Sequence, residues 1–120
     1  MEAESDMATI STHVLDTALG RPAEGMRIDL VRLDTDDGAA SHIGGGVTNA
    51  DGRITELLDN ASLFAPGIWR LTFHTGDYHE AAGRPCFYPN VDVIFEVVDD
   101  SHHHVPLLTS PYGYSTYRGS

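Results

Sequence analysis

Three of the seven histidines, His13, His102 and His104, are spaced as if to work together. His102-His103-His104 heads an apolar run that continues through Val105 and Leu107. If that run is a strand, alternation puts His102 and His104 on one face, and His103 with Val105 and Leu107 on the other. His13 falls on the polar face of a second strand near the opposite end of the chain. A same-face i, i+2 pair plus one distant histidine is acceptable ligand geometry for zinc. The same trio suits general acid and base catalysis, because imidazole titrates near neutral pH. Spacing leaves both chemistries open, beside the plain alternative of solvated surface histidines. A tag remnant is the poorer reading of the His run, since a tag would not continue into an apolar strand.

The other reactive groups carry less. Arg53 directly follows the turn Asn49-Ala50-Asp51-Gly52, which places it at the start of a strand. Taken alone it is a solvated surface residue. His42, His74 and His79 read as surface or capping residues. Cys86 has only Arg84 nearby to activate it, so a bystander role is expected. No carboxylate pair of glycosidase type can be picked out among the scattered acids. Gly44-Gly45-Gly46 is no phosphate cradle, because neither Lys-Ser/Thr nor a helix follows it.

The elements that must position these groups are short strands. Residues 1–7 are expected to form a disordered leader and residues 8–120 a single domain. Ala8 to Leu15 alternates, with Ile10 and Val14 on one face and Thr9, Ser11, His13 and Leu15 on the other. Asp16 to Gly25 reads as a loop. Met26 to Leu33 is a strand whose pattern slips between Leu30 and Val31, as a bulge would cause. Asp34 to Gly46 is a long acidic connection with room for an edge strand near its end. Short strands flank the Asn49–Gly52 turn, and Gly67 to His74 puts Trp69, Leu71 and Phe73 inward. Asp77 to Ala82 has capping-box spacing and stops at Gly83, which predicts the one short helix. Val91 to Val98 leaves Ile94 and Val98 on a mixed outer face, which hints at a subunit contact. Ser110-Pro111 separates the last two strands, and Pro106 places the penultimate one at a sheet edge or a bulge. An exposed edge invites pairing with another chain, so oligomerisation is expected. About eight strands and almost no helix make an all-β chain, an antiparallel β-sandwich.

Charge removes several function classes. Eighteen acidic against seven basic residues give a net charge of −11, which argues against nucleic acid and anionic membranes as partners. All seven basic residues are arginine. Without lysine there is no Schiff-base chemistry, and an anionic or carbonyl-bearing ligand must be held by Arg, His or backbone donors. No apolar window approaches the roughly 18 residues that span a bilayer. The acidic N-terminus is unlike a secretory leader, and a single cysteine fits a reducing compartment, so a cytoplasmic location is expected.

Four segments then resemble a known family. Ser11-Thr12-His13-Val14-Leu15-Asp16, Thr48-Asn49-Ala50-Asp51-Gly52-Arg53, Phe87-Tyr88-Pro89 and the closing Tyr117-Arg118-Gly119-Ser120 are similar to the 5-hydroxyisourate hydrolases, the transthyretin-like proteins of urate degradation. The resemblance runs from about residue 8 to the end, and the closing tetrapeptide separates these hydrolases from the hormone carrier transthyretin. It implies a transthyretin-type sandwich assembled as a homotetramer, a dimer of dimers, with active sites in a channel between dimers. It implies His13, Arg53 and His104 as catalytic residues, with Tyr117 and Ser120 at the channel wall and His102 as a further pocket histidine. It implies 5-hydroxyisourate as substrate, opened to the ureidoimidazoline; no cofactor is expected, and zinc on the three histidines would be adventitious and not needed for activity. The carrier has lysine at the position of His13 and threonines at those of His104 and Tyr117, which makes the channel here narrower and more polar. His103 departs from the family, which commonly has an aromatic such as tyrosine there, but by alternation it faces away from the pocket. The alternative class is a transthyretin-like binding protein for a small aromatic ligand.

Overall fold

Residues 8–34, 41–60 and 63–119 are described by the structure, a computed structural model. In chain order the elements are β1 (Thr9–Ser11), β2 (Val14–Asp16), β3 (Arg21–Pro22), β4 (Arg27–Arg32), β5 (Ser41–Val47), β6 (Gly67–Phe73), α1 (Thr75–Ala81), β7 (Val91–Val97), β8 (His102–His104), β9 (Leu107–Ser110) and β10 (Gly113–Thr116). One layer is the sheet β5-β4-β6-β7; the other joins β10-β9-β2-β3 to the short pair β1-β8. Alternating apolar residues from both layers meet in one core, where Val14, Ile28, Leu30, Trp69, Leu71, Phe73 and Leu107 are all fully buried. This is a two-layer β-sandwich with one short helix, as expected.

Several details differ from the expectation. Two long strands are each broken in two, at Thr12–His13 and at Val105–Pro106. The backbone bonds run on across the breaks, with Val105 N donating to Ser11 O (2.9 Å) and Leu107 N to His13 O (3.0 Å). Pro106, which has no N–H to give, occupies the gap between them. It therefore sits at a break inside the layer, between β10 and β1/β2, and not on an edge. Of the two placements expected for Pro106, an edge or a bulge, the edge is absent and a local interruption is found, so the case for oligomerisation rests on other surfaces. The pairings β1·β8 and β2·β9 run parallel while the rest are antiparallel. The expected loop after Asp16 holds the two-residue β3, and among the described residues between the Asn49–Gly52 turn and β6 the only β-pairing is an isolated Leu58–Gly44 bridge. The bulge between Leu30 and Val31 and the late edge strand β5 are as read from the sequence. The leader, residues 1–7, lies outside the described residues.

The helix begins at Thr75, ahead of Asp77, and no side chain caps it. Thr75 Oγ1 instead donates to the Tyr88 carbonyl (2.6 Å). Gly83, at φ +75°, ends it. The helix is fastened to β2 through Asp16, which is fully buried. Its carboxylate accepts from Tyr78 Oη (2.7 Å) and Arg84 Nη2 (2.6 Å), and from the Ala18 and Leu19 amides. Burial pushes this carboxyl up, but the bonds from Arg84, Tyr78 and Leu19 outweigh it and bring its pKa down to about 2. The cluster fixes the strand that carries His13.

Candidate active site

The parallel register of β1 and β8 places Thr9 opposite His102 and Ser11 opposite His104. Since β1 and β2 alternate, Thr9, Ser11 and His13 face outward from the core. The result is a row of hydroxyls and imidazoles. Ser11 Oγ lies 2.7 Å from His104 Nδ1 and 2.8 Å from His102 Nε2, and Thr9 Oγ1 lies 2.6 Å from His102 Nδ1. The strand puts His13 two residues beyond Ser11 on the same face.

Arg53 reaches this row from the Asn49–Gly52 turn. Gly52 N donates to Asn49 O (2.9 Å), and Asn49 Oδ1 accepts from the amides of Asp51 (2.9 Å) and Arg53 (3.1 Å). Gly52, at φ +76°, gives its carbonyl to Val14 N (2.9 Å), and a side chain there would collide with the Val14 carbonyl. So the turn is docked on the His13 strand, and Arg53 leaves it outside any strand, contrary to the expectation. Its Nη2 stands 3.4 Å from His13 Nδ1. A guanidinium has donors only, so His13 Nδ1 accepts, and a neutral His13 carries its proton on Nε2. That nitrogen is left to donate.

The C-terminal tail folds back over the same strand. Gly119 N donates to the His104 carbonyl (2.8 Å), and a side chain at Gly119 would collide with the His104 ring. Arg118 Nη2 donates to Ser101 Oγ (3.2 Å) and to the His102 carbonyl (3.3 Å). Ser120, expected at the channel wall, lies outside the described residues, next to Gly119. Burial lowers the pKa of His104, and the charges of Arg53, His102 and His13 lower it further. These surroundings favour the neutral imidazole, the form that can accept a proton.

His13, Arg53, His102 and His104 are therefore brought together. Tyr117 is not joined to them: it is exposed and lines a cavity of about 240 Å³ with Val93, Phe95, His103 and Val105. His103 does face away from the cluster, buried on the core side with neither ring nitrogen hydrogen-bonded. His79 is fully buried, 3.2 Å from Thr109 Oγ1, and is not the surface residue expected. His74 Nε2 pairs with Asp29 Oδ2 (2.8 Å) on the other sheet. Sequence reasoning missed Thr9, Ser11, Arg118 and Gly119 as site-builders. Alternation had put Thr9 and Ser11 on the face of His13, but only the parallel register brings them to His102 and His104. As for zinc, among the described residues no group of three or more His, Cys, Asp or Glu is placed to hold a metal. The guanidinium against His13 opposes a second cation there.

Comparison with known proteins gives a consistent relationship. The HIUase/Transthyretin family model matches residues 10–119. The 5-hydroxyisourate hydrolase 2 of Rhizobium meliloti (strain 1021) is 52% identical over 122 residues, covering 97% of this chain and 99% of that protein. The solved 5-hydroxyisourate hydrolase of Klebsiella pneumoniae is 38% identical with a TM-score of 0.81, covering 94% of this chain and 100% of that one. Sea bream transthyretin in complex with thyroxine is 29% identical with a TM-score of 0.87, covering 93% and 95%. Backbone similarity alone does not separate the last two, because one fold can carry either role.

Proposed function

This chain belongs to the HIUase/transthyretin family, and from that membership we propose how its imidazole cluster works. The chain is a cyclic-amide hydrolase that acts on 5-hydroxyisourate in urate degradation. Opening the ring needs an activated water, charge stabilisation at the attacked carbonyl and a proton for the leaving nitrogen. The His13/His104 pair supplies the acceptor and donor groups for activating the water and for the groups that gain charge or a proton. The Arg53 guanidinium stabilises negative charge on the carbonyl oxygen. His102 borders the substrate, as the family resemblance also implies for Ser120. The observation that carries this reading is the Arg53–His13 contact of 3.4 Å, with both groups near enough to His104 to act on its charge, although the three are distant in sequence.

Freshly generated 5-hydroxyisourate should lose its absorbance far faster with this protein than without it. The acceleration should be unchanged after exhaustive chelation. Loss on chelation with recovery on adding zinc would overturn the metal-free mechanism.

Because His104 must be neutral to act as a base, and burial with the neighbouring Arg53, His102 and His13 lowers its pKa, the acid limb of kcat should fall below the ordinary histidine value of 6.5. A limb above that value would contradict the environment described.

The protomer's edges support a homotetramer. Ile94 and Val98, on and just after the edge strand β7, are 62% and 65% exposed. Phe87, Tyr88 and Tyr114 stack edge-to-face in an exposed aromatic patch beside β10. Apolar surface of this kind beside unpaired strand edges is what subunits cover. Sedimentation should give the mass of four chains, and a fully active monomer would contradict the assembly. The unpaired thiol of Cys86 fits a cytoplasmic protein.

The second reading, a carrier of a small aromatic ligand, draws on the transthyretin similarity. It would be favoured if the protein bound planar aromatics but left 5-hydroxyisourate to decay at its spontaneous rate.

A further inference from the structure

The Ser11 hydroxyl stands between two imidazoles, 2.7 Å from His104 Nδ1 and 2.8 Å from His102 Nε2. Beyond His102, the Thr9 hydroxyl lies 2.6 Å from Nδ1. Four groups thus form one unbranched hydrogen-bonded chain: His104, Ser11, His102, Thr9. Every group in it both donates and accepts, so one proton position determines the others. If His104 Nε2 is bare, Nδ1 holds the proton and donates to Ser11 Oγ. Ser11 then donates to His102 Nε2, and His102 Nδ1–H donates to Thr9. His13 has no such freedom, because the Arg53 guanidinium keeps its Nδ1 an acceptor and leaves the proton on Nε2.

We propose that Ser11 is a positioning residue which makes His104 the general base, lets the resulting charge rest on His102, and returns it so that His104 can act as the general acid. This rests on the hydrolytic reading above and deepens it by assigning separate roles to the histidines. In the first step, His104 Nε2 takes a proton from the attacking water as its oxygen bonds to the carbonyl carbon. The Nδ1 proton of His104 moves to Ser11 Oγ while the Ser11 proton moves to His102 Nε2. His104 is then neutral with its proton on Nε2, Ser11 is again a hydroxyl, and the positive charge rests on His102. That charge has moved from a half-buried ring beside Arg53 to one exposed to water. In the second step, His104 Nε2–H protonates the leaving nitrogen as the carbon–nitrogen bond breaks. In the same movement the proton on His102 returns through Ser11 to His104 Nδ1, so that His104 never becomes an imidazolate, and the starting state is restored. No proton is gained or lost overall beyond those of the water consumed. His13, donating through Nε2, serves the oxyanion together with Arg53.

The test is a kinetic cycle on the full-length protein, with Ser11→Ala, Ser11→Thr, His102→Gln and the double variant Ser11→Ala/His102→Gln. Ser11→Ala should lower kcat by about 10- to 100-fold at unchanged KM, the range typical of a group that orients a reacting side chain. Ser11→Thr, which keeps the hydroxyl, should retain most of the rate. His102→Gln should also act on kcat, and the double variant should be no slower than the slower single one, because both break the same chain. Wild-type kcat in Ser11→Ala, additive losses, or a His102→Gln effect confined to KM would each overturn the relay. His104→Ala separates the levels: if it inactivates while Ser11→Ala does not, only the relay fails, whereas an active His104→Ala removes the hydrolytic assignment beneath it.

Discussion

Replacing His104 with alanine should slow the ring opening of 5-hydroxyisourate by about 10²–10⁴-fold, the range expected when a positioned acid or base is removed. The fold should survive, since His104 is only half-buried and its backbone keeps the bond from Gly119 (2.8 Å). Arg53→Glu should produce a loss of about 10²–10³-fold for a different reason. It removes the cation that stabilises the oxyanion and sets a carboxylate beside His13 Nδ1. That carboxylate would draw the His13 proton to Nδ1, leaving a lone pair where the substrate needs a donor. Steady-state rates with intact tetramers check both variants. Wild-type turnover in either would show that its side chain does no chemistry.

The largest effect on stability is expected from Arg84→Ala. Asp16 is fully buried, and Arg84 Nη2 at 2.6 Å is the cation that offsets its burial. Removing one partner of a buried pair costs about 3–5 kcal/mol. The pH dependence has a definite sign. The Asp16 pKa falls from 3.8 to about 2 on folding, so its contribution is complete above 3.8 and is lost as the pH drops towards 2. In Arg84→Ala the burial of the carboxylate is less opposed, so the gap between variant and wild type should narrow as Asp16 protonates. Urea unfolding at pH 7 and near pH 3 measures this. An equal gap at both would mean that the arginine acts by packing alone. Since His13 immediately precedes β2, the variant should also lose activity before it unfolds.

The layers of the sandwich were legible because alternation is a local property. Trp69, Leu71 and Phe73 face inward as the pattern required, and the Leu30/Val31 slip is a real bulge. Gly83 ended the helix for a reason visible in its residue type, whereas Asp77 misled because Thr75 found a tertiary partner in the Tyr88 carbonyl. His102 and His104 could be assigned one face and His103 the other by the same parity. Register between distant strands was not legible. Nothing in Thr9-Ile10-Ser11 announces that it pairs parallel with His102-His103-His104, and that pairing creates the hydroxyl–imidazole chain. Arg53 was found through its turn, but its approach to His13 depends on the Gly52 carbonyl docking on Val14. The family resemblance pointed to Tyr117 as well, yet Tyr117 lines the cavity beneath His103. Its strand ends at Thr116, so alternation no longer dictates its direction.

A crystal structure of the tetramer with an unreactive planar purine-dione bound would test most directly where the chemistry happens. The analogue should lie on the outer face of the β1–β8 pair, with a carbonyl within hydrogen-bond distance of the Arg53 guanidinium and its ring against His104 Nε2. An analogue seated between the sheets against Val93, Phe95 and His103, with the Arg53–His13–His104 face bare, would contradict the account.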